Sequence, residues 1–334
     1  MPDPSSAADS ALSGESSMSV GFVGVGRMGL PLAQRLVRAR VPVLLWNRTR
    51  SKVDPLVAEG AHWAATPRDL ARSVAKGVTF LMLTDGAAVK RVLFGVHGFA
   101  RGASPGALVV NMSTIDPEES RAVAARLVER GIHYLDAPVA GSVEQAARGE
   151  AFFFVGGDAA DLARARPLLD RMGHKVEHMG AVGTGNAAKL VNNLLTIGIT
   201  SLSSEALTLA DGFHLDPSRI VEVLQSGGGR SAMLERKAPA FLARKYPAQF
   251  TTAMARKDLK LVERAAARMR RPLRMTHEAR KLLDEAIGQG HGEEDFSSVL
   301  EAAMARGPRV PSASSTSPAS ATSTEPPADR GGPA

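Results

Sequence analysis

The run GTGNAAKLVNN, residues 183–193, sets Lys189 and Asn193 four residues apart at the head of a long apolar segment. On a helix that spacing puts both side chains on one face, one turn apart. An ammonium there either lies on a solvent-facing stripe or is kept for chemistry. A lysine desolvated by apolar neighbours has its pKa drawn toward the working range of a general acid.

A second group surrounds Gly24-Val25-Gly26-Arg27-Met28-Gly29, a G-x-G-x-x-G between the apolar run SVGFVG and a helical stretch. In that context the first glycine permits a tight turn and the second lets backbone approach a pyrophosphate. The third allows close helix packing, and the helix N-terminus offers N–H groups and a positive dipole end to phosphate. The next apolar run, VPVLLW, ends in Asn47-Arg48-Thr49. A carboxylate at this place binds a ribose 2′-hydroxyl, whereas donors and a planar guanidinium suit a 2′-phosphate. NADP(H) is the preferred cofactor on this reading, with NAD(H) possible.

Three further polar clusters fall at element ends. Asn111-Met112-Ser113-Thr114 closes a strand, where ligands of open parallel sheets gather, although Ser113 or Thr114 could equally cap the helix opened by Asp116-Pro117-Glu118. Asp136-Ala137-Pro138-Val139-Ala140-Gly141-Ser142 closes another, and Gly141 and Ser142 can present N–H groups and a hydroxyl to an anion. Lys257-Asp258-Leu259 lies on a late helix.

The elements that must position these groups follow from hydrophobic patterning. Short β-branched and aromatic runs, namely SVGFVG, VPVLLW, VTFLML, ALVVNM, IHYLDAPV and AFFFVGG, alternate with amphipathic stretches up to KVEHMG at 175–180. This predicts an α/β domain with a doubly wound, Rossmann-type parallel sheet over 18–182. Residues 183–304 read as helices only, an all-α domain. Residues 1–17 and 305–334 are rich in Ser, Ala and Pro, bury little, and are expected to be disordered; Met18 is an alternative start.

Composition narrows the class. The chain has 334 residues, 44% of them apolar, and a net charge of +7. Its basic residues are scattered rather than clustered, which argues against nucleic acid. With no cysteine and no paired histidines, no metal site is expected. No apolar stretch reaches membrane-spanning length and the N-terminus lacks a secretory pattern, so the cytoplasm is the expected compartment.

Taken in order, the motifs resemble the β-hydroxyacid dehydrogenase family, over about residues 19–303. GFVGVGRMG is similar to its cofactor fingerprint, NMSTIDP to its substrate loop and DAPVAGS to its DAPVSG segment; GTGNAAKLVNN and KDLKL are similar to its two lysine motifs. The resemblance implies NAD(P)-dependent interconversion of a short 3-hydroxy acid and its aldehyde or ketone, with a small carboxylate-bearing substrate. By motif position it implies Lys189 as catalytic lysine and Asn193 as its substrate-orienting neighbour. Leu83, Thr84, Thr114 and Lys257 would line the cofactor, while Ser113, Gly141 and Ser142 would hold the substrate carboxylate. It also implies association through the helical domain as a homodimer or homotetramer. Two departures are Ala140, where the family commonly has serine, and Val143–Ala151 in place of a glycine-rich stretch ending in GTL. An imine reductase on the same fold, which usually replaces the lysine, and a non-catalytic NADP(H)-binding protein are the competing readings.

Overall fold

The computed structural model describes residues 20–305. The expectations for residues 1–17, for Met18 and for the tail beyond 305 lie outside the described residues.

Nine strands form one sheet: β1 (Val20–Val23), β2 (Val43–Trp46), β3 (His62–Trp63), β4 (Val78–Leu81), β5 (Leu108–Asn111), β6 (His133–Asp136), β7 (Val139–Ala140), β8 (Ala151–Gly156) and β9 (Gly173–Gly180). The order is β3-β2-β1-β4-β5-β6-β8-β7, with β9 also paired to β8. Between them run α1 (Gly29–Arg38), α2 (Asp54–Ala58), α3 (Pro67–Val74), α4 (Gly86–Phe94), α5 (Pro117–Val128), α6 (Val143–Arg148) and α7 (Ala159–Met172). Strands β1, β4 and β5 are buried along their whole length, because helices cover both faces. Separate apolar clusters fill the two faces: Phe22, Leu32, Leu45, Phe80 and Phe153 on one, Leu70, Leu81, Leu93, Phe99 and Val109 on the other.

The sheet departs from the all-parallel expectation at one edge. The run IHYLDAPV is two strands, broken at Ala137-Pro138. Strands β6 and β7 each pair antiparallel with β8, and β3, a two-residue exposed strand, escaped the pattern reading.

Beyond β9 the described chain is helical: α8 (Thr184–Gly212), α9 (Pro217–Ser226), α10 (Ala232–Ala243), α11 (Thr252–Arg268), α12 (Arg274–Gly288) and α13 (Val299–Ala305), with short 3-10 turns between. Ile197, Leu259, Leu282, Leu283 and Phe296 form the centre of its core. The covered face of the 29-residue α8 mixes polar groups with Leu190, Ile197 and Leu207, while an apolar stripe faces outward. Its covered face carries Asn186, Lys189, Asn193, Thr200 and Ser204, whereas Val191, Leu195, Leu202 and Leu209 are exposed. Thr200, Ser204 and Thr208 return their hydroxyls to carbonyls four residues back, which satisfies them within the helix. No helix among the described residues is long and apolar enough to cross a membrane.

Candidate active site

The strand order reverses between β1 and β4, and the crevice beyond the carboxyl ends of such strands is where open α/β sheets take ligands. The glycine turn occupies that place. Gly24 has φ +97°, and a Cβ on it would stand 2.2 Å from the Met82 carbonyl oxygen. A Cβ on Gly29 would stand 1.9 Å from the Gly24 carbonyl oxygen, while one on Gly26 would meet nothing within 4 Å. The outer glycines are therefore closed by protein, and the middle one is open to a ligand. No side chain caps the N-terminus of α1 at Met28, so the first-turn N–H groups there have no side-chain acceptor. This arrangement fits the pyrophosphate of a dinucleotide.

Asn47 is turned inward: its Oδ1 accepts from the Val25 N–H at 3.0 Å and its Nδ2 donates to the Thr49 carbonyl at 2.8 Å. Its amide braces the glycine turn. Arg48 and Thr49 remain exposed beside it, and the Arg48 guanidinium makes no hydrogen bond or ion pair among the described residues. Arg27 points toward Glu293 of the helical region at 3.8 Å, an exposed pair worth little.

Lys189 is only 9% exposed, and its ammonium makes no hydrogen bond or ion pair among the described residues. Burial pushes its pKa down to about 8, partly offset by the nearby Asp258 carboxylate and reinforced by Lys257. Asn193 lies one turn on and donates to Asp258 Oδ2 at 2.6 Å. An ionised carboxylate only accepts, so this bond sets which way the Asn193 amide faces. Asp258 Oδ1 in turn lies 2.9 Å from the Lys257 ammonium. Lys257 also donates to the carbonyls of Thr84 and Thr114, at 3.1 and 3.0 Å, which bridges the ends of β4 and β5 to α11.

Leu83, Thr84, Ser113, Thr114, Lys189, Asn193 and Lys257 are thus brought into one cluster. Within it Ser113 is fully buried and accepts from the Leu83 N–H at 2.9 Å, so its hydroxyl joins the two loops and keeps one proton to donate. Neither Ser113 nor Thr114 caps the following helix; Asp116 does, accepting from the Glu118 N–H. Gly141 and Ser142 follow β7, and no hydrogen bond among the described residues ties them to Lys189. Ser142 caps α6 in a capping box, its hydroxyl accepting from the Gln145 N–H and its own N–H donating to Gln145 Oε1. That N–H is not free for a carboxylate, so Ser142 offers only its hydroxyl proton in place of the serine missing at Ala140.

The motif reading gave no role to Asp258 and none to Asn186. A signal for Asn186 is present in the sequence, because residues 186, 189 and 193 fall on one polar stripe over the first turns of the helix. Asp258 carried no such signal; its partner Asn193 is 65 residues away in sequence.

Comparison with known proteins agrees with this architecture. Residues 19–180 match the family described as the NAD binding domain of 6-phosphogluconate dehydrogenase, and residues 183–303 that described as the NAD-binding region of NADP-dependent 3-hydroxyisobutyrate dehydrogenase. The chain is 35% identical over 288 residues to glyoxylate/succinic semialdehyde reductase 2 of Arabidopsis thaliana, covering 86% of this chain and 80% of that one. Among solved structures, 3-hydroxyisobutyrate dehydrogenase from Salmonella typhimurium superposes with a TM-score of 0.77 at 30% identity, covering 85% of this chain and 99% of that one. An imine reductase from Streptomyces aurantiacus is further away, at a TM-score of 0.56 and 26% identity, covering 85% and 98%. With its glycine turn, a buried lysine that has no partner among the described residues and these matches across both halves, the chain belongs to the β-hydroxyacid dehydrogenase family.

Proposed function

We propose that this protein interconverts a short 3-hydroxy acid and its semialdehyde or keto form, with Lys189 donating the proton in reduction and accepting it in oxidation. The observation that carries the reading is an ammonium nine-tenths buried and without a partner among the described residues, on the same helix face as an amide aimed by Asp258. A buried charge without a partner is retained against a large desolvation penalty, which a purely structural position does not require. A bound nicotinamide cofactor supplies the hydride in reduction. Lys189 protonates the carbonyl oxygen as it gains negative charge and is left as the neutral amine. Asn193 has a second amide proton to hold that same oxygen.

NADP(H) is the preferred cofactor on this reading. Asn47 is occupied with the glycine turn, no carboxylate stands at 47–49, and Arg48 is exposed and has no partner among the described residues. Arg27, Met28 and the turn glycines would lie against the pyrophosphate, with Leu83, Thr84, Thr114 and Lys257 toward the nicotinamide end. The substrate carboxylate would be held by Ser113, Gly141 and the Ser142 hydroxyl. The outward-facing apolar residues of α8 support a homodimer or homotetramer. Val191, Leu195, Leu202, Leu209 and Phe213 form one exposed apolar stripe that a second copy would cover.

The test is an NADPH- and NADH-oxidation screen over glyoxylate and succinic, methylmalonic and tartronic semialdehydes, with cyclic imines as the contrast. Wild-type enzyme should reduce a semialdehyde, and Lys189→Ala should lose about 10²–10⁴-fold in turnover, the usual worth of a positioned general acid, with NADPH affinity retained. Turnover of an imine and of no semialdehyde, or an unimpaired Lys189→Ala, would overturn the reading.

A further inference from the structure

We propose that Asn186, seated on Asp136, is a positioning residue that fixes where Lys189 stands relative to the cofactor-side loops. The inference rests on Lys189 being the proton donor.

Helix α8 starts after Gly183, whose φ is +91° and which has no side chain to cap it. The first-turn N–H groups of a helix need acceptors, and here a carboxylate on the sheet supplies them. Asp136, at the end of β6, accepts from the Gly183 N–H and the Asn186 N–H, each at 2.7 Å. A negative group at a helix N-terminus is also favoured by the helix dipole. The Asn186 side chain then locks the same turn sideways. Its Oδ1 accepts from the Ile115 N–H at 2.9 Å, and its Nδ2 lies 3.4 Å from both Asp136 Oδ2 and Ser120 Oγ.

From there the hydrogen bonds run on without a break. Ser120 meets the Tyr134 hydroxyl at 2.9 Å, Asn111 donates to that hydroxyl at 2.9 Å, and the Ser113 N–H donates to Asn111 at 3.1 Å. The Leu83 N–H donates to the Ser113 hydroxyl at 2.9 Å. One buried chain therefore connects the end of β4 with the turn of α8 that precedes Lys189. Asn111, Ser113, Ser120, Asp136 and Asn186 are all fully buried. A partly broken network of this kind leaves groups unsatisfied at high penalty, so the arrangement is sharply defined. The packing leaves no slack either. A Cβ on Gly185 would stand 2.4 Å from the Phe154 carbonyl oxygen and 2.6 Å from that of Asp136.

Asn186 and Lys189 are spaced i, i+3, so they share a face one turn apart. Lys257, which approaches Lys189 from α11, is tied to the carbonyls of Thr84 and Thr114, next to Leu83 and Ser113 in the chain. The network thus spans the two sides of the site that must keep a constant separation: the loops holding Lys257 and the helix holding Lys189.

The experiment compares Asn186→Ala and the milder Asn186→Ser with wild type and Lys189→Ala, each normalised to sites that bind NADPH. Freeing the turn should lower kcat by up to about 10²-fold, the effect of a displacement near 1 Å, with substrate KM and NADPH affinity little changed. Lys189, facing Asp258 and Lys257 and less enclosed once the turn relaxes, should titrate higher. The rising limb of the oxidation rate should therefore move from near pH 8 toward the ordinary lysine value. A lowered melting temperature with wild-type kcat and an unmoved limb would mean a structural role only and would overturn the proposal; should Asn186→Ala not fold, Asn186→Ser decides. An active Lys189→Ala removes the proton donor and the proposal with it. A crippled Lys189→Ala beside an unimpaired Asn186→Ala removes the positioning role alone.

Discussion

Replacing Lys189 with methionine should make the protein more stable while abolishing its turnover. The ammonium has an ordinary pKa of 10.5 when unfolded and about 8 when folded, chiefly through desolvation. Below pH 8 it is charged in both states and the full penalty is present, roughly 3 kcal/mol at 1.36 kcal/mol per unit. Between pH 8 and 10.5 the folded chain releases its proton first, so stability rises with pH. Above that range both states are neutral and the penalty is gone. Methionine fills a similar volume without a charge, and Asp258 keeps Lys257 as its partner at 2.9 Å. Urea unfolding at one protein concentration, without cofactor, should show Lys189→Met gaining up to about 3 kcal/mol at pH 7 and less than about half of that at pH 9.5. No gain at pH 7, or a gain that does not shrink with pH, would show that the ammonium is not held against its solvation, and the argument for a tuned proton donor would fail.

Arg48→Ala should weaken NADPH binding by about 10- to 100-fold, the worth of one or two charge-assisted hydrogen bonds, and leave NADH nearly unaffected; equal losses in titrations with the two cofactors would remove the case for a 2′-phosphate site. Leu202→Glu with Leu209→Glu puts charges on the exposed stripe of α8 and should convert an oligomer to monomers; light scattering at low micromolar concentration that finds wild type and variant alike would contradict the proposed interface.

Much of the frame was legible because its signals are local. The glycine turn, the apolar strands and the late helices each announce themselves within about ten residues, through periodicity and turn chemistry. Where patterning failed, the cause was physical. Pro138 has no N–H to give a ladder, so IHYLDAPV breaks into two strands and the edge of the sheet turns antiparallel. The two-residue β3 is exposed and carries too short a pattern to be seen.

The site shows the same division. Residue types and the i, i+4 spacing of Lys189 and Asn193 are properties of the chain alone, as is the absence of a carboxylate at residues 47–49. That Asn47 faces the glycine turn, that Ser142 is engaged in a helix cap, and that Asp258 aims Asn193 were decided only by folding. So was the burial of Lys189, since nothing within the segment says which face of α8 is covered; apolar residues lie on both sides, with Ile197 buried and Leu195 and Leu202 exposed. Short-range pattern determines which elements form and which groups are available. Hydrogen bonds between residues far apart in sequence, and the desolvation that packing imposes, determine which of those groups are occupied with structure and which are left to act.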